Sequence, residues 1–117
     1  MPYRRILEEL LALVPGSRTA LLLDAQGEVV VGAGDMDERH RLIGAYQGIA
    51  LGMATRTAVR FGTGLIQSLV WRHDGGAVVL STLKDGYYLV LSLGAESLVP
   101  LASRHCETAR EKLNREI

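Results

Sequence analysis

Between Gly62 and Leu93 three runs rich in leucine, β-branched and aromatic residues are separated by Asp74-Gly75-Gly76 and by Lys84-Asp85-Gly86. Asp-Gly between such runs marks a hairpin, because glycine accepts the positive φ of a tight reversal. The pattern predicts a three-stranded antiparallel meander. Leu65, Leu69 and Trp71 should point to one side of its first strand, and Ile66 and Val70 to the other. In its last strand Tyr87, Leu89, Leu91 and Leu93 alternate with Tyr88, Val90 and Ser92. Neither side is polar, so both faces of this sheet need cover.

The remaining chain supplies that cover. From Tyr3 to Val14 apolar residues recur at Ile6, Leu7, Leu10, Leu11 and Val14, a helical period. Arg4–Glu8 and Arg5–Glu9 have the i,i+4 spacing of weak ion pairs, and Pro15-Gly16 ends the helix. A hairpin is expected from Thr19–Leu23, a turn at 24–27 and Glu28–Val31, with Gly32-Ala33-Gly34 breaking the second strand. Asp35 followed by Glu38 has capping-box spacing and predicts a second helix running to Arg60 or Phe61, where Gly62 stops it. After the meander, Gly94–Ser97 reads as loop and cap. A last helix should start near Leu98, carry Pro100 in its first turn and bury Leu101, Cys106, Ala109 and Leu113, with Arg104, Glu107, Arg110 and Glu111 in water. The order α-β-β-α-β-β-β-α describes an α+β chain: one domain over 1–117, an α/β/α sandwich on a five-stranded antiparallel sheet.

The second helix carries two distinct rows. Leu42, Tyr46, Ile49, Ala50, Met53 and Thr57 form an apolar row suited to covering the sheet. Gly44, Gly48 and Gly52 form the other, flanked by Leu51, Thr55, Ala58 and Val59. Each interior glycine costs about 1 kcal/mol relative to alanine, so three at a spacing of four imply close approach by another backbone. That backbone is either one of this chain's own elements or, as the favoured reading, a second copy; the expected dimer or partner interface is Gly44, Gly48, Leu51, Gly52, Thr55, Arg56, Val59 and Arg60.

Composition narrows the function. Thirteen basic and thirteen acidic side chains leave a formal net charge of zero, which favours neither nucleic acid nor an anionic membrane. A single cysteine excludes an intramolecular disulfide and suits a reducing cytoplasm. No apolar run reaches membrane-spanning length, and the N-terminal run, with Glu8 and Glu9 inside it, is not a secretory leader. Scarce lysine beside plentiful arginine, alanine and glycine suggests a GC-rich bacterial gene.

Candidate chemistry is sparse. No P-loop motif is present, so the chain is not itself a GTPase. His40, His73 and His105 lack partners at metal-ligand spacing. His105 and Cys106 are helix neighbours whose side chains diverge by about 100°, which argues against a Cys–His pair. Asp24, Asp35, Asp74 and Asp85 fall at turns and caps, and no serine sits in a nucleophile elbow. Tyr46, Trp71, Tyr87 and Tyr88 lack the clustered cations of a base-stacking platform. The residues assign no catalytic group, cofactor or metal.

Over nearly its whole length the chain resembles the Roadblock/dynein light-chain domain. The matching segments are Leu10–Gly16, Ala20–Gly27, Gly62-Thr63-Gly64 before a strand, and Leu83-Lys84-Asp85-Gly86-Tyr87-Tyr88-Leu89-Val90. The resemblance implies homo- or heterodimers in which central helices pack together and middle strands join into one continuous sheet. It also implies a non-catalytic regulator or scaffold of Ras-like small GTPases, in bacteria within polarity, motility or signalling. Such a protein acts by holding the GTPase switch loops or by supplying an arginine in trans, for which Arg56 and Arg60 are the candidates. The alternatives are a dimeric ligand-sensing or adaptor module with no GTPase partner, and an enzyme assembled at a dimer interface.

Overall fold

A computed structural model describes residues 2–117, with the side chains of residues 38–45 not described. The first helix, α1, spans Pro2–Leu13 and buries Leu7 and Leu10. Its exit is fixed by Ser17, whose amide and hydroxyl both donate to the Val14 carbonyl at 3.1 and 2.7 Å. Strands β1 (Ser17–Leu23) and β2 (Val29–Gly34) follow as an antiparallel pair. Asp24 Oδ1 shapes the turn between them by accepting from the Gln26 and Glu28 amides at 2.9 and 3.0 Å. Contrary to expectation, Gly32-Ala33-Gly34 does not break β2 but completes it. A side chain at Gly32 would collide with Met36 and come within 2.9 Å of Leu21, so the glycine serves packing.

Helix α2 spans Glu38–Phe61. It starts at Glu38, whereas a capping box at Asp35 requires Met36 to be its first residue. Asp35 instead accepts from the Asp37 amide at 3.2 Å, and its carbonyl accepts from Thr19 Oγ1. The C-terminus closes as anticipated at Gly62 (φ 66°). There Gly62 donates to the Val59 carbonyl and Thr63 to that of Ala58, the paired bonds of a Schellman motif.

The meander consists of β3 (Ser68–His73), β4 (Gly76–Thr82) and β5 (Tyr88–Gly94). Strand β3 is shorter than the sequence suggests. Leu65 and Ile66 lie ahead of it, and Leu65 is 91 % exposed. A 3₁₀ turn over Lys84–Gly86 joins β4 to β5, with Asp85 and Gly86 both at positive φ. Helix α3 spans Val99–Glu116. Its buried row is Ala102, Cys106, Ala109 and Leu113, with Ala102 taking the place expected for Leu101. Ser97 does not cap it; its hydroxyl donates across the chain to the Pro15 carbonyl. Arg110 is also more engaged than expected, its Nε donating to the Thr82 carbonyl at 2.6 Å.

The strands form one antiparallel sheet in the order β2-β1-β5-β4-β3. Alternation along β1 and β5 builds two cores. Ala20, Leu22, Leu89 and Leu91 pack under α1 and α3 with Leu7, Leu10, Cys106 and Leu113. Leu21, Leu23, Tyr88 and Val90 pack on the other face with Val78, Leu80, Met36 ahead of α2, and Leu51 of α2. Both faces of β1 and β5 are covered, as the absence of a polar side required, while β3 stays largely exposed. Because α2 leaves the β2 edge and delivers the chain to β3, it connects the two outer strands of the sheet.

Candidate interaction surface

The structure turns α2 about its axis relative to the sequence reading. Ala58 is buried and Leu51 packs on the second core, while a Cβ at Gly48 would lie 2.7 Å from Tyr88 Oη. The close approach that Gly48 permits is therefore made by the chain's own Tyr88. Gly52 meets only the Arg56 side chain, and Gly44 and Leu42 lie outside the described side chains. The row expected to cover the sheet faces solvent instead: Tyr46, Ile49 and Met53 are each more than half exposed, and Thr57 is exposed. Thr55, Arg56, Val59 and Arg60 of the anticipated seam are exposed, and Arg56 and Arg60 line a groove with Met53, Thr57 and Phe61.

A second unsatisfied feature is the outer edge of β3, whose lead-in residue Ile66 shares a groove with Ala54, Thr57, Ala58 and Phe61 of α2. Thr82 donates its amide to the Gln67 carbonyl at 3.0 Å, which makes Gln67–Thr82 a hydrogen-bonded pair. Antiparallel pairs alternate, so within the register Val70↔Val79 and Trp71↔Val78 the amides and carbonyls of Ser68, Val70 and Arg72 point away from β4. Among the described residues no side chain bonds to them. Val70 and Trp71 are about half exposed on the same strand. An unpaired edge flanked by apolar side chains is a template for another strand.

No catalytic constellation accompanies these surfaces among the described residues. Among the described residues no three His, Cys, Asp or Glu side chains cluster at metal-binding distance. Cys106 is buried, and burial, with a smaller contribution from the Glu107 charge, pushes its thiol up to about 12; it is an inert core residue. Burial first, and Asp24 second, also raise the Tyr88 phenol. Tyr88 Oη and Gln47 Oε1 are buried without a hydrogen-bond partner among the described residues. The fit of Tyr88 against Gly48 escaped the sequence reading, because nothing in the spacing links two residues forty positions apart.

The Roadblock/LC7 domain from Streptomyces avermitilis superimposes with a TM-score of 0.88 at 19 % identity, over 97 % of this chain and 95 % of that one. The chain has the Roadblock fold. Two further Roadblock-fold neighbours point the same way. The gliding protein MglB from Thermus thermophilus matches with a TM-score of 0.87 at 20 % identity, covering 97 % of this chain and 87 % of that one. An MglB with tetrameric arrangement matches at 0.86 with 22 % identity, covering 97 % and 88 %. No family model matches the sequence, and no curated protein matches it. The Roadblock fold is thus carried here by a sequence that shares about one residue in five with these neighbours.

Proposed function

We propose that residues 1–117 form one domain that works as a two-copy, non-catalytic regulator or scaffold of a Ras-like small GTPase in the cytoplasm. The observation that carries this reading is the bare β3 edge lying beside an exposed apolar α2 face. A second copy related by a two-fold axis satisfies both: β3 pairs with β3, and the α2 helices meet across the seam. Thr55, Arg56, Val59 and Arg60 are free to contribute there or to a third molecule; Gly48 and Leu51 seat the helix from below. The gliding role named for one Roadblock-fold neighbour fits a signalling or motility setting. The paired α2 surface would bind the GTPase and bias its switch loops, with no group of this chain entering the chemistry.

Two measurements test the reading. Val70→Pro removes an outward amide without breaking a β3–β4 hydrogen bond, so the chain should stay folded. Light scattering should then show two copies for the native chain and one for the variant; two copies in both would remove the β3 edge from the interface. Pull-downs from source lysate with a GTP analogue or GDP should recover a small P-loop GTPase, more strongly in one nucleotide. Recovery in neither rejects the regulator role.

A second reading is favoured by two buried polar atoms, Tyr88 Oη and Gln47 Oε1 of α2, that have no hydrogen-bond partner among the described residues. A small polar ligand bound there would make the chain a sensor or adaptor. It predicts ligand-dependent thermal stabilisation that Tyr88→Phe abolishes.

A further inference from the structure

The two edges of the sheet are treated differently. Asp35 donates its amide to the Arg18 carbonyl at 2.9 Å, so Arg18–Asp35 is a hydrogen-bonded pair. In the register Ala20↔Ala33 and Leu21↔Gly32, alternation then aims the backbone groups of Gly32 and Gly34 outward, away from β1. Here the edge is occupied. Arg4 Nη1 of α1 donates to the Gly32 carbonyl at 2.8 Å. The expected Arg4–Glu8 pair does not form; the guanidinium reaches across to β2 instead.

The donor is held by a fixed element. Leu7 and Leu10 are buried under the sheet, and Tyr3 Oη donates to the Glu116 carbonyl at 2.8 Å, tying the start of α1 to the end of α3. A charge-assisted bond from a rigid helix blocks a carbonyl that strand addition needs. An incoming strand would have to displace this charge-assisted bond before it could donate to the Gly32 carbonyl. Covering an edge with a neighbouring helix is a known way to blunt it.

We propose that Arg4 guards the β2 edge, so that this chain adds strands at β3 alone. The limit on assembly rests on the two-copy reading above: copies joined β3 to β3 expose only guarded β2 edges, and growth stops. With β2 unguarded, the same sheet has two competent edges and extends without closure.

The test compares Arg4→Met, which keeps the side-chain stem and loses the donor, with Arg4→Lys, which keeps a donor. Sedimentation should give the native chain and Arg4→Lys as two-copy species. Arg4→Met should show mass rising with concentration beyond twice the 12.7 kDa of one chain. Combined with Val70→Pro, it should pair again, now through β2, where Val70→Pro alone is a single copy. If Arg4→Met matches the native chain at every soluble concentration, and the double variant matches Val70→Pro, the guard is rejected. A native chain that is itself a single copy sinks the two-copy reading instead, and Arg4→Met against native still decides the guard. Circular dichroism checks folding; should Arg4→Met lose the native spectrum, Arg4→Gln carries the same comparisons.

Discussion

Tyr88 and Gly48 show how much a single contact can settle. The ring fills the second core and its hydroxyl abuts Gly48, the described position on α2 where a Cβ would intrude. Removing a buried hydroxyl that has no partner relieves a penalty of about 1–3 kcal/mol, so Tyr88→Phe should raise stability by about 1 kcal/mol. Gly48→Ala gains helix propensity of about 1 kcal/mol but collides with the phenol. It should destabilise the native chain and stabilise the Tyr88→Phe background. Urea unfolding of the four combinations reads that sign change as a coupling energy. Cys106 gives a complementary expectation. Its folded thiol titrates near 12, above its usual 9.0. The stability this contributes is complete below the unfolded value and is lost as pH rises through the folded one. Tyr88, also raised, adds a loss of the same sign above about pH 10. The urea midpoint should therefore fall between pH 8 and pH 11, and a thiol reagent at pH 8 should modify Cys106 only after unfolding.

At the level of elements, α2 is where the hydrophobic-inside rule misleads. Tyr46, Ile49 and Met53 form a row of large apolar residues, so a reading by hydrophobicity assigns them to the sheet. The sheet already presents the Tyr88 ring, and the space left accepts Gly48, Leu51 and Ala58. Large apolar residues on the outside are ordinary singly, but a row of them marks a binding surface. Ile49→Asp with Met53→Asp should weaken self-association at least about tenfold, equivalent to about 1.4 kcal/mol, with little change in the melting temperature of the separated chain. Unchanged sedimentation would exclude this face from the seam. The edge strands follow the same logic: β2 and β3 are similar in length, but β2 is buried beside α1, which places Arg4 on its outer carbonyl, whereas β3 is largely exposed.

For the molecule as a whole, local signals carried the architecture. Turn glycines, the period of α1 and α3, and the alternation along β5 gave the order of elements and the need for two covering layers. What stayed hidden depends on contacts between distant residues. Arg4 looked like the partner of Glu8 because four residues separate them, whereas Gly32 is its neighbour only after α1 docks. The orientation of α2 was ambiguous for the same reason, since both of its rows are compatible with helical spacing.

Strand order carries a consequence for synthesis. The interior strand β1 pairs with β5, so Leu21 waits for Val90. A chain emerging at about 5–20 residues per second leaves the inner edge of the first hairpin unmatched for several seconds. During that interval the nascent protein displays a leucine-rich strand beside its neighbours on a polysome. Early shielding by a ribosome-associated chaperone should therefore govern soluble yield more than the stability of the finished fold does.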